Sequence, residues 1–179
     1  MTGAMQFVVQ EALQIIVSFL VKIISFTPKN TVATKLFPGA DMITFYAFCR
    51  TVDDLADEMD RPREERKREL LKWKNGIVNG FSSPDIIQSG VEDLINRYEI
   101  ERDLFIELIK GMEMDFNEES YDTFEDLKAY CYRVASVVGL ISLKLFGANF
   151  ERATDYAINL GYALQLTNII RDISEDYSV

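Results

Sequence analysis

Two acidic clusters, far apart in the sequence, place oxygen-bearing side chains at the spacing of successive helical turns. The first contains Asp53 and Asp57 within FYAFCRTVDDLADE, and the second contains Asn168, Asp172 and Asp176 within ALQLTNIIRDISEDY. Residues four apart on an α-helix are separated by about 6 Å along the axis and lie on nearly the same face. Because like charges at this spacing destabilise a bare helix, a bound cation is the simplest reason to keep them.

The donor types in these clusters favour a hard cation. The chain has no histidine, which excludes Ser-His-Asp and Cys-His catalysis, HExxH zinc sites and Glu-x-x-His di-iron bundles. Carboxylate and amide oxygens are the ligands that Mg²⁺ prefers, and Mn²⁺ is the second candidate. The net charge of −10 argues against a nucleic-acid partner.

A tyrosine and an arginine accompany the first cluster on the same predicted helix face. The stripe Tyr46, Arg50, Asp53, Asp57 advances by steps of four, three and four residues. The carboxylates could hold Mg²⁺ there, while Arg50 binds the oxygens of a metal-bound anion with its fork of N–H donors. The alternative is a solvated charged face with an arginine–aspartate pair, and the stripe alone supports both interpretations equally.

The second cluster ends a stripe that changes from apolar to acidic along one helix face. The stripe consists of Gly161, Leu164, Gln165, Asn168, Asp172 and Asp176. Arg171 is adjacent in sequence and can reach toward an anion. The gradient predicts an apolar pocket wall with a metal site at its mouth, and a solvated face is the less favoured alternative because amides interrupt an apolar helix here.

Two acidic walls flanking arginines predict a Mg²⁺–diphosphate clamp, since Mg²⁺ takes one or two carboxylates together with phosphate oxygens. Such a clamp can promote departure of diphosphate, and the reactive cation left behind needs an apolar pocket without water. Between the clusters, Tyr130, Ala135, Val138 and Gly139 predict that pocket, with close helix–helix packing as an equally supported alternative. Within the acid-rich segment 111–126, Asp115 is the residue expected to face inward.

The elements that position these residues are predicted to be helices in a single all-α domain, 1–179. The predicted helices are 5–25, 42–58, 63–74, 86–98, 102–114, 127–146 and 150 onward. Pro38-Gly39 predicts a break and the segment 75–84 a loop. Asp122 with Glu125 predicts a helix N-cap and Gly147 a helix end. The basic stretch RPREERKRELLKWK is predicted to be a solvated helix face.

Residues 1–26 are predicted to form an amphipathic helix. Gln14, Ser18 and Lys22 recur every four residues within an otherwise apolar run. This stripe fits a helix packed on the domain better than a membrane span, and attachment to a membrane surface is the alternative. Because no basic segment precedes the run, no signal peptide is predicted, and Cys49 and Cys131 are expected to be buried thiols in a cytoplasmic protein.

At these residues the chain resembles the squalene/phytoene synthase family. FYAFCRTVDDLADE is similar to the family's first Asp-rich motif, GMEMDFNEESYDTFEDLKAYCYRVASVVGL to its central helices, and LGYALQLTNIIRDISEDY to its second Asp-rich motif. Within the family, the sequence most resembles the bacterial branch that makes presqualene diphosphate, with the phytoene synthases close behind. The resemblance implies an all-α isoprenoid-synthase bundle around a central apolar cavity. It also implies a further region after the second motif, so we expect an incomplete domain that is truncated at its C-terminus.

The resemblance implies a prenyltransferase that condenses two farnesyl or two geranylgeranyl diphosphates head to head through a cyclopropylcarbinyl diphosphate. The implied Mg²⁺ ligands are Asp53, Asp57, Asn168, Asp172 and Asp176. The implied contacts are diphosphate for Tyr46, Arg50 and Arg171, and substrate for Tyr130 and Gln165. NADPH is expected only if the reaction continues to squalene. The alternatives are a non-catalytic relative acting as a binding or assembly protein and, less favoured, a terpene cyclase or chain-elongating synthase of the same fold.

Overall fold

A computed structural model describes residues 38–57, 61–116, 121–148 and 150–176. Side chains are described for 40–56, 61–114, 121–148 and 150–171. The predicted N-terminal helix, 1–26, lies outside the described residues.

Helices account for nearly all of the described chain, and none of the described residues forms a strand. The helices are α1 (Pro38–Asp57), α2 (Arg63–Asn79), α3 (Ile86–Tyr98), α4 (Arg102–Phe116), α5 (Phe124–Cys131), α6 (Val137–Leu145) and α7 (Phe150–Asp176). A single π-helical turn, Tyr132–Ser136, joins α5 to α6. The all-α prediction is therefore confirmed.

An aromatic cluster fixes α1 against α2 and α4. Phe48 packs edge-on against Trp73 of α2 and Phe105 of α4, with ring centroids 5.3 and 5.2 Å away, and Phe45 contacts Phe105 at 6.1 Å. Phe45, Phe48 and Phe105 are fully buried, and burial of each such side chain contributes about 1.5–3 kcal/mol. The face of α1 opposite the first acidic motif is thus held by core packing.

The N-terminus of α1 is fixed by a charged cluster. Pro38 was expected to break the chain but begins α1, because the first helical turn needs no donor from its backbone nitrogen. One turn on, Asp41 accepts two hydrogen bonds from Arg97 of α3, at 2.8 and 2.9 Å, and a third from the Tyr98 hydroxyl. The hydrogen bonds from Arg97 hold the pKa of the Asp41 carboxyl below its usual range, against the opposing effect of burial.

Replacing Asp41 by asparagine is expected to lower the free energy of unfolding by only about 1 kcal/mol at pH 7, because solvent screens the charge of the half-exposed Arg97. A depressed folded-state pKa stabilises the protein above the unfolded pKa of about 4, and this stabilisation is lost as the pH falls through the folded-state pKa. Urea unfolding at a series of pH values from 7 downward should therefore show the gap between the wild type and D41N narrowing once the pH falls below about 4. Asp93→Asn is the control, since Asp93 contacts the same arginine with 61% of its side chain exposed, against 12% for Asp41. A gap between wild type and D41N that stays constant with pH would contradict this assignment.

The predicted end of the charged helix near Lys74 is wrong, because α2 continues to Asn79. Gly76 lies inside the helix rather than in a loop, and a Cβ there would come within 2.1 Å of the Phe81 ring. Its missing side chain lets Phe81 fold back onto Trp73 at 5.5 Å. The backbone turns only at Gly80, whose φ is 87°.

The predicted helix 127–146 begins earlier and contains an interruption. Its N-cap is Thr123 with Asp126, one residue later than the predicted pair Asp122 and Glu125. The π turn Tyr132–Ser136 then separates α5 from α6. Gly147 ends the helix as predicted, with a φ of 59°.

Candidate functional site

The first acidic cluster lies in the C-terminal half of α1, on the face turned away from the aromatic core. Tyr46, Arg50 and Asp53 are half-buried, whereas Val52 and Leu55 belong to the core. The backbone of Asp57 completes the helix, and its side chain lies outside the described residues. The predicted stripe from Tyr46 to Asp57 therefore occupies one face of a regular helix.

Arg50 pairs with two carboxylates of its own helix. Its Nη1 donates to Asp53 Oδ2 at 3.1 Å, and its Nη2 contacts the Asp54 carboxylate. The exposed fractions of the Arg50, Asp53 and Asp54 side chains are 23%, 27% and 44%. The arginine–aspartate pair that the sequence left as an alternative is therefore present, and a metal ion bound by Asp53 would share that carboxylate with Arg50.

The second cluster lies along the C-terminal part of α7. Leu164, Gln165, Asn168 and Arg171 are half-buried. Positions 168, 172 and 176 share one face because α7 is helical through Asp176. The side chains of Asp172 and Asp176 lie outside the described residues, as does that of Asp115.

Close contact with the π turn fixes α7. A Cβ on Gly161 would come within 2.5 Å of the Cα and backbone nitrogen of Ser136, and the Ser136 hydroxyl donates to the Ile158 carbonyl at 2.8 Å. On the other side, Gly111 of α4 packs against Val134, which its Cβ would approach to 2.8 Å. Glycines on two helices thus allow α4 and α7 to pack closely on the π turn. A π-helical turn within a helix often marks a functional site.

The predicted pocket residues lie on both sides of this turn. Tyr130 of α5 is half-buried and stacks on Tyr121 with ring centroids 5.3 Å apart. Ala135 is buried within the π turn, while Val138 and Gly139 belong to α6. Close helix packing, the alternative left open for this region, occurs at Ser136 and Gly161.

The two helices that carry the acidic motifs both pack on α6. α1 packs on α2, α3, α4 and α6, whereas α7 packs on α5, the π turn and α6. The two motif-bearing helices are thus connected mainly through α6 and not by extensive packing on each other.

The donor set of the two motifs fits Mg²⁺, since Asp53, Asn168 and the three further aspartate positions offer only oxygen ligands. Among the described side chains, no group of three or more acidic or cysteine side chains is arranged for a metal. Three of the five predicted ligands lie outside those side chains, so the Mg²⁺ site stays a prediction.

One residue beside the first motif was missed. Arg66 was assigned to a solvated helix face, but it is only 8% exposed and donates a hydrogen bond from Nη1 to the Ala56 carbonyl. The signal was in the spacing, because Arg66 shares the stripe of Leu70, Trp73 and Ile77, which are all buried.

A separate cleft of about 290 Å³ contains none of the predicted site residues. It is lined by Glu107, Glu125, Lys128, Ala129, Tyr132, Arg133 and Tyr162. Glu107 accepts hydrogen bonds from Lys110 at 2.6 Å and Arg133 at 3.0 Å, which together lower its pKa despite burial. The charged side chains that line this cleft form ion pairs with other residues of the protein.

The motifs and the fold together define the class of this protein. The family model for squalene/phytoene synthase matches residues 29–178. The chain belongs to the squalene/phytoene synthase family.

The sequence is similar to both presqualene diphosphate synthases and phytoene synthases. The chain is 40% identical to presqualene diphosphate synthase of Rhodopseudomonas palustris over 140 residues, covering 77% of this chain and 50% of the relative. It is 34% identical to the chloroplastic phytoene synthase of Daucus carota over 139 residues, covering 73% and 35%.

Two solved structures share the fold. A dehydrosqualene synthase in complex with ligand matches with a TM-score of 0.64 and 30% identity, covering 90% of this chain and 53% of that one. A squalene synthase from Alicyclobacillus acidocaldarius matches with a TM-score of 0.66 and 25% identity, covering 93% and 65%. The predicted isoprenoid-synthase class of fold is confirmed.

The chain spans about half the length of the presqualene diphosphate synthases it matches. Within the described residues, no helix combines the length and apolarity needed to cross a bilayer.

Proposed function

We propose that this chain is a Mg²⁺-dependent prenyltransferase domain that condenses two prenyl diphosphates head to head. The observation that supports it most is the placement of the two acidic motifs on α1 and α7, which both pack on α6, in a member of this family. The relatives include presqualene diphosphate synthases and phytoene synthases, which favours a cyclopropylcarbinyl diphosphate as the product.

Carboxylates from both helices would hold the metal. The proposed ligands are Asp53 and Asp57 on α1 with Asn168, Asp172 and Asp176 on α7. When bound, Mg²⁺ neutralises negative charge that develops on the leaving diphosphate. The chemistry of the donors, all of them oxygen, supports Mg²⁺ or Mn²⁺ over softer ions.

Three further side chains would bind the diphosphate. Tyr46 and Arg50 lie one turn apart on the motif face of α1, and Arg171 lies next to Asp172 on α7. Arg50 already meets two carboxylates, and its partial exposure leaves its guanidinium accessible to a phosphate oxygen. Arginine suits this role because its planar fork matches phosphate geometry.

Apolar and small residues near α6 would surround the prenyl chains. Ala135, Val138, Gly139 and Leu164 offer no group that could attack a carbocation. Tyr130 and Gln165 would contact the substrate at the edge of this surface. Exclusion of water matters here because water would add to the allylic cation and convert it to an alcohol.

The proposed reaction balances without an external oxidant or reductant. One prenyl diphosphate loses diphosphate to give an allylic cation, and the C2–C3 double bond of the second attacks its C1. Loss of one proton then closes the cyclopropane ring, and the product keeps one diphosphate. Because the chain has no histidine, the released diphosphate is the proposed proton acceptor. Reduction to squalene would need NADPH as a further substrate.

Incubation of the 179-residue chain with farnesyl or geranylgeranyl diphosphate and Mg²⁺, without NADPH, tests this proposal. We expect presqualene or prephytoene diphosphate by mass spectrometry, with one diphosphate released for every two substrates consumed. Parallel reactions with EDTA should give no product. The two substrates, assayed separately, establish whether the enzyme uses fifteen or twenty carbons.

Other outcomes distinguish the alternatives. Release of diphosphate from one substrate without coupling would indicate a terpene cyclase. A chain that is helical by circular dichroism but turns over neither substrate would contradict the enzyme proposal and favour the binding or assembly role.

A further inference from the structure

Arg66 is a buried cation next to the first acidic motif. It lies in the first turn of α2, is 8% exposed, and occupies the apolar stripe that includes Leu70 and Trp73. Burying a guanidinium is costly unless it is hydrogen-bonded. Its Nη1 donates to the backbone carbonyl of Ala56 in the last turn of α1.

This hydrogen bond falls where α1 is least supported by its own backbone. The last four carbonyls of an α-helix have no partner within the helix, and Ala56 is the penultimate residue of α1. A cation at this end also complements the helix dipole, and α1 has no basic residue in its own last turn. Arg66 supplies both the donor and the charge from the neighbouring helix.

The restrained turn carries the proposed metal ligands. Ala56 follows Asp53 by three residues and directly precedes Asp57. A carboxylate pair separated by one helical turn keeps its spacing only while that turn remains helical. Fraying at Ala56 would change the position of Asp57 relative to Asp53.

We propose that Arg66 is a positioning residue for the metal site: it locks the last turn of α1 and thereby sets the spacing of Asp53 and Asp57. This inference rests on the proposed function, because it concerns the same Mg²⁺ site. It assigns a role to a residue that contacts neither metal nor substrate. Partners of this kind typically change metal affinity by about 10–100-fold when they are removed.

The chain contains a matched control for the structural effect alone. Arg102 of α4 donates from Nη1 to the Ile77 carbonyl near the C-terminus of α2, and pairs with Glu92 at 2.9 Å. The guanidinium–carbonyl hydrogen bond at a helix C-terminus is the same as at Arg66, with an added ion pair to Glu92, but the end of α2 carries none of the proposed site residues. Arg102→Met should therefore destabilise the fold without affecting the metal site.

The test measures Mn²⁺ binding to the 179-residue chain by loss of the free-ion electron paramagnetic resonance signal, together with the urea unfolding midpoint. The variants are Arg66→Met, Arg66→Lys and Arg102→Met. We expect Arg66→Met to weaken Mn²⁺ binding about tenfold or more, and Arg66→Lys to recover part of the loss, since lysine can still donate to a carbonyl. Arg102→Met should lower the unfolding midpoint while leaving Mn²⁺ affinity within about twofold, because it acts only on stability.

Each outcome bears on a different claim. If Arg66→Met and Arg66→Lys bind Mn²⁺ as the wild type does, the positioning role is wrong while the proposed function stands. Equal losses in Arg66→Met and Arg102→Met would also overturn it, since they would reflect stability alone. If the wild type binds no Mn²⁺, the metal site of the proposed function fails, and the inference fails with it. Should Arg66→Met not fold, the comparison rests on Arg66→Lys against Arg102→Met.

Discussion

Replacing Asp53 or Asp172 by asparagine is expected to lower the rate of product formation by about 10²–10³-fold, the effect of removing one charge-stabilising group from a transition state. Asparagine keeps the size of the side chain and one oxygen but removes the negative charge that would hold Mg²⁺. A large effect at both positions is expected because each helix contributes one wall of the same site. Initial rates at saturating Mg²⁺ and with increasing Mg²⁺ separate weaker metal binding from slower chemistry.

Asp155→Asn is the control for these variants. Asp155 is an exposed aspartate on α7, the helix that also carries Asp172, but it lies outside the proposed site. Its replacement should leave the rate and the Mg²⁺ requirement unchanged. Full activity in D53N or D172N, with an unaltered Mg²⁺ requirement, would show that the motif in question does not bind the metal.

Replacing Gly161 by alanine is expected to separate α7 from the π turn. The added Cβ would come within 2.5 Å of the Ser136 backbone, which cannot move aside as a side chain could. The second acidic motif begins seven residues further along the same helix, so any shift of α7 is passed to Asn168. Because a displacement of about 1 Å can cost about 10²-fold in rate, product formation should fall sharply.

Gly90→Ala is the matched control for this variant. A Cβ on Gly90 of α3 would approach only the Thr44 Cγ2, at 2.6 Å, which is the end of a rotatable side chain. Both variants gain the higher helix propensity of alanine. The difference between their stabilities therefore reports the clash of the new Cβ with the Ser136 backbone. We expect G161A to be less stable than G90A by about 1–3 kcal/mol in urea unfolding, and also less active. Equal stability and activity would mean that α7 can shift without consequence.

Hydrophobic periodicity was sufficient to predict most helices of the described chain. The predicted 86–98 and 102–114 agree with Ile86–Tyr98 and Arg102–Phe116 because their apolar residues repeat at helical spacing and turn residues bound them. The prediction failed where glycine and proline were interpreted only as breaks. Pro38 is accommodated in the first turn of α1, and Gly76 is buried by Phe81, a tertiary contact that local sequence does not encode.

The same limit applies to the site. Spacing placed Tyr46, Arg50 and Asp53 on one face of α1, and the described helix has them there. The pairing of Arg50 with Asp53 and Asp54 was one of two alternatives, because spacing does not decide which partner an arginine selects. The π turn could not be predicted, since a single shifted hydrogen-bonding register leaves no clear mark on hydrophobic periodicity. Arg66 was missed because its type suggested solvent exposure while its position in the stripe indicated burial.

Calorimetric titration with inorganic diphosphate tests the central claim, that both acidic motifs bind one Mg²⁺–diphosphate group. Wild type, D53N, D172N and the double variant are titrated in Mg²⁺ and in EDTA. The account predicts that diphosphate binds the wild type only with Mg²⁺, that each single variant loses this binding, and that the double variant is scarcely worse because the two motifs serve one site. Diphosphate binding that persists in EDTA, or that depends on only one of the two motifs, would contradict it.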